Sequence, residues 1–257
     1  MSTRTPAAPA WHVVSLRPRG QHGPMRRAAA RHGGAVIALS PWSLRPLHDE
    51  ATRAALRAAL AAPRVVFTSP AAARAVLALQ PLVAHPGQRW FAVGAGTAAA
   101  LRRAGIGDVE APGRMDSEGL LALPGLERID GPVGLVTAPG GRGTLTPALQ
   151  ARGGEVLRAD VYLREPLAPS PRAIASLRAC TGPTVLAVSS AEALQQLLAT
   201  LPADLVARLR ARPLVAASDR LVEVAEAAGF RHCHRAADAR PASLVEAAAA
   251  IAHKTLQ

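Results

Sequence analysis

The sequence predicts an α/β protein with two similar, doubly wound, flavodoxin-like domains, each built on a parallel sheet. Three observations favour this fold. Short apolar runs alternate with helix-like segments along all 257 residues, which is typical of parallel sheets covered by helices. Glycine or serine turns follow most of those runs, and the second half of the chain repeats features of the first. A duplicated α/β unit accounts for all three.

The first elements follow from apolar runs and helix-ending residues. Val13–Leu16 predicts a buried strand, Pro24 suits the first turn of a helix, and that helix ends at Gly33–Gly34. A second strand follows at Val36–Leu39, before a proline-bounded connector at Ser40–Pro46 interrupts the pattern. Further apolar runs predict strands at 64–68, 90–93, 132–137, 156–162, 185–188 and 214–217.

One strand–turn–helix unit shows the pattern most clearly. The apolar run Trp90–Val93 stops at Gly94 and Gly96, where the backbone can turn tightly and leave amide groups uncovered. Thr97 is predicted to cap the alanine-rich helix that follows, and Gly105 to end it. Because uncovered amides at the start of a helix bind anions, such turns are candidate sites for an anionic ligand.

The repeat keeps its order along the chain. The matched pairs, at offsets that rise from 120 to 124 residues, are Gly33–Gly34 with Gly153–Gly154, Trp42 with Tyr162, Phe67–Ser69 with Val188–Ser190, and Gly105 with Gly229. Small insertions would increase the offset in this way, so the matches indicate a duplicated domain.

Two proline-bounded connectors, Ser40–Pro46 and Arg164–Pro171, lie at equivalent points of the two copies. A plain tandem duplication needs only one connector, near Pro124–Pro132. Two equivalent connectors indicate that the copies have exchanged their first β-α-β units. The sequence therefore predicts a discontinuous domain (1–40 plus 168–257), a continuous domain (45–160) and a two-stranded linker (40–47 and 161–171), with a cleft between the domains.

Composition argues against several classes of protein. The net charge of +12 is carried almost entirely by scattered arginines, aromatic residues are scarce, and no groove-reading or base-stacking motif is present. A small polyanion is therefore expected as partner rather than a nucleic acid. No apolar run approaches the roughly 18 residues of a membrane span. Since the N-terminus also lacks a signal peptide's apolar core, a cytoplasmic protein is expected.

In open parallel sheets, ligands bind at the carboxyl ends of the strands. The predicted strand ends carry small, hydroxylic or cationic residues rather than paired carboxylates, a Ser-His-Asp arrangement or a P-loop. Such turns bind carboxylates through amides, hydroxyls and guanidinium groups, although each Ser or Thr also suits a helix cap. The candidate substrate-binding residues are Arg17, Thr68, Ser69, Gly94, Thr97, Arg142, Ser189, Ser190 and Ser218.

Other chemistries are weaker candidates. His232–Cys233–His234 puts at most two ligands on one face of a strand and has no further ligand nearby, so no metal is predicted. Gly94-x-Gly96-x-x-Ala99 matches the relaxed dinucleotide fingerprint, with Glu110 or Asp116 as the acidic partner. A Rossmann-type oxidoreductase is therefore the alternative function. A two-domain ligand binder of the periplasmic type is disfavoured by the missing signal peptide.

An ordered set of motifs spans nearly the whole chain. Its members are Phe67–Pro70, Phe91–Thr97, Ser117–Leu120, Gly141–Arg142 with Leu145 and Leu149, Gly153, Val161–Tyr162, Ser189–Ser190 and Ala228–Phe230. Together they resemble the uroporphyrinogen-III synthase family. That family's fold is two α/β domains joined by a two-stranded linker, in agreement with the exchange argued above. The sequence departs from relatives at Ala217–Arg220, where others carry a hydroxyl-rich turn.

The resemblance implies a lyase that acts on hydroxymethylbilane, a linear tetrapyrrole with eight carboxylates. Such an enzyme expels the terminal hydroxyl, inverts ring D through a spirocyclic intermediate and closes the macrocycle without a cofactor. It also implies that Tyr162 assists departure of the hydroxyl, although a linker residue that packs between the domains is the other interpretation of this tyrosine. A monomer that makes transient contact with the preceding enzyme of the pathway is expected.

Overall fold

The computed structural model describes residues 9–140 and 143–256. The chain divides into two compact units. Unit 1 ends at Ser43 and resumes at Pro166, whereas unit 2 is the continuous segment Leu44–Glu165. Whether residues 45–160 fold as an independent domain stays a prediction.

The strands alternate with helices along most of the chain. The strands are β1 (Trp11–Ser15), β2 (Gly34–Ala38), β3 (Trp42–Pro46), β4 (Arg64–Phe67), β5 (Arg89–Ala92), β6 (Gly131–Thr137), β7 (Gly154–Asp160), β8 (Tyr162–Pro166), β9 (Thr184–Val188), β10 (Leu214–Ala216) and β11 (Cys233–Arg235).

Most helices follow a strand directly. They are α1 (Gly23–Arg31), α2 (Glu50–Ala61), α3 (Pro70–Leu77), α4 (Ala95–Arg103), α5 (Ser117–Leu121), α6 (Leu145–Ala151), α7 (Pro171–Ala179), α8 (Ala191–Thr200), α9 (Ala203–Arg210), α10 (Asp219–Ala227) and α11 (Pro241–Leu256). None of the helices in residues 9–140 and 143–256 has the length and apolarity that crossing a bilayer requires.

The sheet of unit 1 is parallel, with strand order β11-β10-β9-β1-β2. When the strands are numbered along unit 1 alone and read from the β2 edge, this order is 2-1-3-4-5, which is the flavodoxin-like arrangement. The two central neighbours come from opposite ends of the chain, because His12 of β1 pairs with Thr184 of β9. The predicted doubly wound parallel sheet is thus confirmed for unit 1.

The sheet of unit 2 has the same order when β6 is numbered as its first strand and β7 as its second, followed by β4 and β5. Its strands lie in the order β5-β4-β6-β7, all parallel, and a bridge from Phe91 to Glu110 adds a fifth position beside β5. In each unit, therefore, the β-α-β piece of one copy of the repeat completes the sheet of the other copy. The remaining strands, β3 and β8, form a separate two-stranded sheet.

Alternate residues of the central strands face two different apolar layers, as a doubly wound sheet requires. In β1, Val14 packs in the layer with Leu186 and Leu194, whereas Val13 packs against α1 and α11. In β4, Phe67 and Val66 likewise belong to opposite layers. Burial of each such side chain contributes about 1.5–3 kcal/mol, so both faces of each sheet stabilise the fold.

Candidate functional site

A cavity of about 200 Å³ lies in unit 2, at the carboxyl ends of β4 and β6 and the beginning of β8. Its described lining is rich in hydroxyls and guanidiniums and includes no carboxylate. The lining residues are Thr68, Ser69, Ser117, Leu135, Thr137, Ala138, Gly140, Gly143, Thr144, Leu145, Thr146, Arg158, Tyr162 and Arg164. Thr68, Ser69 and Tyr162 were predicted from the sequence, and the structure brings all three to this cavity.

Tyr162 is the first residue of β8 and is only 6% exposed. Its position is set by the chain before it, because the Val161 amide donates to the Thr137 carbonyl at the end of β6 (3.0 Å). The ring packs in an apolar layer, while the hydroxyl lies 3.2 Å from Ser69 Oγ. A buried phenol with its oxygen at a polar cavity can exchange a proton with a bound ligand.

Ser69 has two partners. Its Oγ accepts a hydrogen bond from the Ala72 amide (3.0 Å), which caps α3, and the same oxygen lies beside the Tyr162 hydroxyl. Because Oγ accepts from the amide, its own proton is available for the phenol oxygen or a ligand. The cap predicted for Ser69 is confirmed, and the cap and the contact with Tyr162 coexist.

Arg74, one turn into α3, is electrostatically linked to Tyr162. Burial lowers the pKa of the Arg74 guanidinium, the neighbouring positive charge of Arg103 lowers it further, and the charge of an ionised Tyr162 would raise it. The Arg74 guanidinium and the Tyr162 hydroxyl therefore lie close enough to interact electrostatically.

Several polar residues of the cavity were not identified from the sequence. Thr68 Oγ1 donates to Thr137 Oγ1 (2.7 Å), and the rule that pointed to strand ends could have identified Thr137 at the end of β6. Arg158 lies in β7 and pairs with Asp160 (2.9 Å). Arg164 reaches the cavity from β8. No sequence signal distinguishes these two arginines from the many others.

Gly94 and Thr97 do not line the described cavity. Gly94 is the N-cap residue of α4, and the Met115 side chain packs so closely on it that a Cβ would lie 3.0 Å from Met115 Cβ. The prediction that Thr97 caps the helix is wrong. Because the helix begins at Ala95, Thr97 lies inside its first turn, where it is 2% exposed.

The dinucleotide alternative is not supported. Both proposed acidic partners are engaged elsewhere: Glu110 accepts hydrogen bonds from Arg89 Nε (2.9 Å) and Nη2 (2.7 Å), and Asp116 caps α5 through the Gly119 amide (2.8 Å). Glu110 also pairs with Phe91, a residue of β5. It therefore does not lie beyond the carboxyl end of the sheet, where a ribose would bind. Arg142 lies outside the described residues.

In unit 1, Arg17 extends past the carboxyl end of β1. Its Nη2 donates to the Ala239 carbonyl (3.0 Å), and no carboxylate among the described residues pairs with it. Burial lowers the pKa of this guanidinium. A half-buried cation without a counter-ion is costly, which makes Arg17 a natural partner for an anionic ligand.

His22 was not identified from the sequence. It is 3% exposed, with Nδ1 3.0 Å from Ser15 Oγ and Nε2 2.8 Å from Ser40 Oγ. Burial lowers its pKa to about 4, and the charges of Arg26 and Arg17 add to the effect. Nothing in the local sequence indicates this network, because its hydroxyls come from two different strand ends.

Ser189, Ser190 and Ser218 follow the neighbouring strands β9 and β10 and are half-buried. Ser190 Oγ caps α8 by accepting from the Ala193 amide (3.3 Å). Ser218 is the N-cap residue of α10, but its side chain makes no cap hydrogen bond. Its hydroxyl is therefore available to a ligand.

Comparison with known proteins decides the family. A family model described as uroporphyrinogen-III synthase HemD matches residues 23–246, which is most of the chain. The chain belongs to the uroporphyrinogen-III synthase family. Enzymes of this family cyclise hydroxymethylbilane, so the chain is a lyase of porphyrin biosynthesis with a tetrapyrrole substrate.

Solved structures agree with this family at the level of the fold. A mutant uroporphyrinogen III synthase from the extremely thermophilic bacterium Thermus thermophilus is 21% identical, with a TM-score of 0.60 over 96% of this chain and 100% of that chain. Uroporphyrinogen-III synthetase from Helicobacter pylori is 14% identical, with a TM-score of 0.58 over 97% of this chain and 100% of that chain.

Proposed function

We propose that Tyr162 assists departure of the terminal hydroxyl of hydroxymethylbilane, and that strand-end hydroxyls and guanidiniums bind the substrate's carboxylates. The observation that carries this proposal is the Tyr162 hydroxyl, 3.2 Å from Ser69 Oγ, at a cavity whose described lining has no competing carboxylate. Ser69, Thr68 and Thr137 offer hydroxyls there, and Arg164 offers a guanidinium.

The chemistry balances without an oxidant or reductant. Tyr162 donates its proton to the leaving hydroxyl oxygen while the electron pair of the terminal pyrrole nitrogen assists cleavage of the carbon–oxygen bond, and water leaves. The methylene carbon of the resulting cation then bonds to the substituted α-carbon of ring D, and the bond from that α-carbon to its original methylene bridge breaks. The released methylene carbon bonds to the other α-carbon of ring D, and loss of the proton from that carbon restores neutrality. The tyrosinate left by the first step can take up that proton, so that only water is released overall.

In unit 1, Arg17 with Ser189, Ser190 and Ser218 forms the second set of proposed carboxylate contacts. Arg17 contributes a charge that no carboxylate of the described residues neutralises, and the serines contribute hydroxyls at adjacent strand ends. Charge-assisted hydrogen bonds of this kind contribute about 1.5–3 kcal/mol each. Gly94, Thr97 and Arg142 stay predicted contacts. A cytoplasmic monomer with transient contact to the preceding enzyme is also part of the proposal.

The decisive experiment compares Tyr162→Phe with Tyr162→Ala. Tyr162→Phe removes the proton donor and keeps the buried ring, so we expect kcat to fall about a hundredfold, the lower end of what a positioned acid contributes, because the bilane also cyclises unaided. The type I isomer should then accumulate, as separation of the two isomers would show. The melting temperature should barely change.

A structural role for Tyr162 would give a different result. In that case Tyr162→Phe keeps full activity, and only Tyr162→Ala loses activity together with its melting temperature. That outcome would overturn the acid role and leave substrate positioning as the basis of catalysis.

A further inference from the structure

The loop between β1 and α1 in unit 1 carries Arg17 and is closed at its base by a buried histidine. Ser15 is the last residue of β1, and His22 immediately precedes α1. The 3.0 Å contact between Ser15 Oγ and His22 Nδ1 therefore joins the two ends of the loop. Arg17 lies two residues beyond Ser15, inside the closed segment.

A second contact fixes the closed loop to the sheet. His22 Nε2 lies 2.8 Å from Ser40 Oγ, just after β2, so one imidazole connects the carboxyl ends of two adjacent strands. A neutral imidazole has one donor and one acceptor, and because a hydroxyl can complement either, the neutral ring can bridge both serines. Gly20, with φ of +79°, allows the sharp turn inside the loop.

The guanidinium end of the Arg17 side chain is also held in place. Its Nη2 donates to the Ala239 carbonyl, in the segment before α11, which leaves the other guanidinium donors directed to no described side chain. A guanidinium that is oriented in this way but lacks a counter-ion loses little conformational entropy when an anion binds.

We propose that His22 is a positioning residue for the reaction: by bridging Ser15 and Ser40 it fixes the loop that presents the Arg17 guanidinium to a carboxylate of the substrate. This inference rests on the proposed function, because it takes Arg17 to be a carboxylate contact. It goes further in assigning a role to a residue that does not touch the substrate.

The test is a double-mutant cycle on the full-length enzyme with hydroxymethylbilane. Arg17→Ala should raise KM about tenfold to a hundredfold, with a smaller effect on kcat, because a carboxylate contact is made equally in the bound substrate and in the transition state. His22→Gln should raise KM about tenfold in the wild-type background. In the Arg17→Ala background it should raise KM no further, because residues that act through one contact are not additive.

A matched control comes from the same strand. His12 in β1 is also shielded, with Nδ1 3.2 Å from Cys180 Sγ, but it lies near the amino end of the strand, away from Arg17. His12→Gln should therefore lower the melting temperature and leave KM unchanged. If His22→Gln does not fold, Ser40→Ala can replace it, because this variant removes only one of the two bridging contacts. Ser40→Ala should raise KM by a similar factor in the wild-type background and should not raise it further in the Arg17→Ala background.

The outcomes separate the two proposals. If Arg17→Ala raises KM and neither His22→Gln nor Ser40→Ala does, the positioning role is overturned and the carboxylate contact stands. The positioning role is also overturned if His22→Gln still raises KM in the Arg17→Ala background. If Arg17→Ala leaves KM unchanged, both the contact and the inference fail, while Tyr162→Phe still tests the chemical step independently.

Discussion

At the scale of single residues, His22 carries the clearest electrostatic signature among the described residues. It is enclosed by two serine hydroxyls, and the guanidiniums of Arg17 and Arg26 lie near enough to disfavour its protonation. Its pKa of about 4 lies below the usual 6.5. Below pH 6.5, therefore, the unfolded chain takes up a proton at this position that the folded chain does not.

The free energy of unfolding should consequently fall as the pH is lowered from about 6.5 to about 4. The contribution of His22 is complete above this window and lost below it, and a shift of this size corresponds to about 3 kcal/mol. Urea denaturation at a series of pH values measures it. Asp238, whose pKa a hydrogen bond from Arg240 lowers to about 2, titrates below the window.

The control for this pH dependence is His22→Gln, which should flatten the profile. Burial also lowers the pKa of His12, so His12→Gln should remove a further, separate part of the slope. A His22→Gln variant with the same pH profile as the wild type would show that the imidazole titrates normally in the folded protein.

At the residue scale, position could be predicted from the sequence where a polar residue directly follows an apolar run. Thr68 and Ser69 follow an apolar run, so the sequence could place them at a strand end, and the structure brings them to the cavity with Tyr162. His22 escaped because its two hydroxyl partners come from two different strand ends, whereas Thr137 could have been found by its place at the end of β6. Arg158 and Arg164 escaped because arginine is so common in this chain that no single one stands out.

At the scale of elements, helix α2 packs against β6 at unusually close range in unit 2. A Cβ built on Gly134 would lie 1.9 Å from the Ala59 carbonyl oxygen and 2.6 Å from its carbon. Both atoms belong to the backbone, so no side-chain rotation can relieve the overlap. The glycine is required by the approach of the helix and not by its own backbone conformation.

Gly134→Ala should therefore lower the free energy of unfolding by about 3 kcal/mol or more, at the upper end of the cost of overpacking. Gly113→Ala is the control, because a Cβ there meets nothing within 4 Å, and its effect should stay within about 0.5 kcal/mol. Urea denaturation of both variants measures the difference. Equal, small effects would mean that α2 can move away from the sheet at little cost.

Element-scale prediction depended on local signals. The N-cap expected at Ser69 is present, because its side chain accepts from the amide three residues later. Thr97 was misassigned because Gly94 already occupies the N-cap position. The sequence alone could not show that Gly94 rather than Thr97 is the N-cap residue, since both residue types are acceptable there.

At the scale of the whole molecule, the exchange of β-α-β pieces predicts which fragments fold. Residues 45–160 contain all four strands of the unit 2 sheet and most of its core. Expressed alone, this fragment should be soluble and unfold cooperatively in a denaturant titration. Residues 1–125 contain β1 and β2 without β9, and β4 and β5 without β6, so they should not fold.

A cooperatively folding 1–125 fragment would instead favour plain tandem domains. The sequence supports the prediction that residues 45–160 fold alone and residues 1–125 do not, because its two connectors lie at equivalent positions of the two copies. It could not show which of the two sheets holds a cavity at its carboxyl end, because that depends on side chains packed from segments far apart in the chain.

The pairing of β1 with β9 has a consequence for the order of events during synthesis. On the ribosome, β4 and β6, joined for example by the hydrogen bond between Thr68 and Thr137, emerge 69 residues apart. By contrast, β1 waits about 170 residues for β9. Within the unit 1 sheet, β1 and β2 thus leave the exit tunnel well before the other strands, and until β9 follows, the apolar edge of β1 is exposed to other nascent chains and to chaperones.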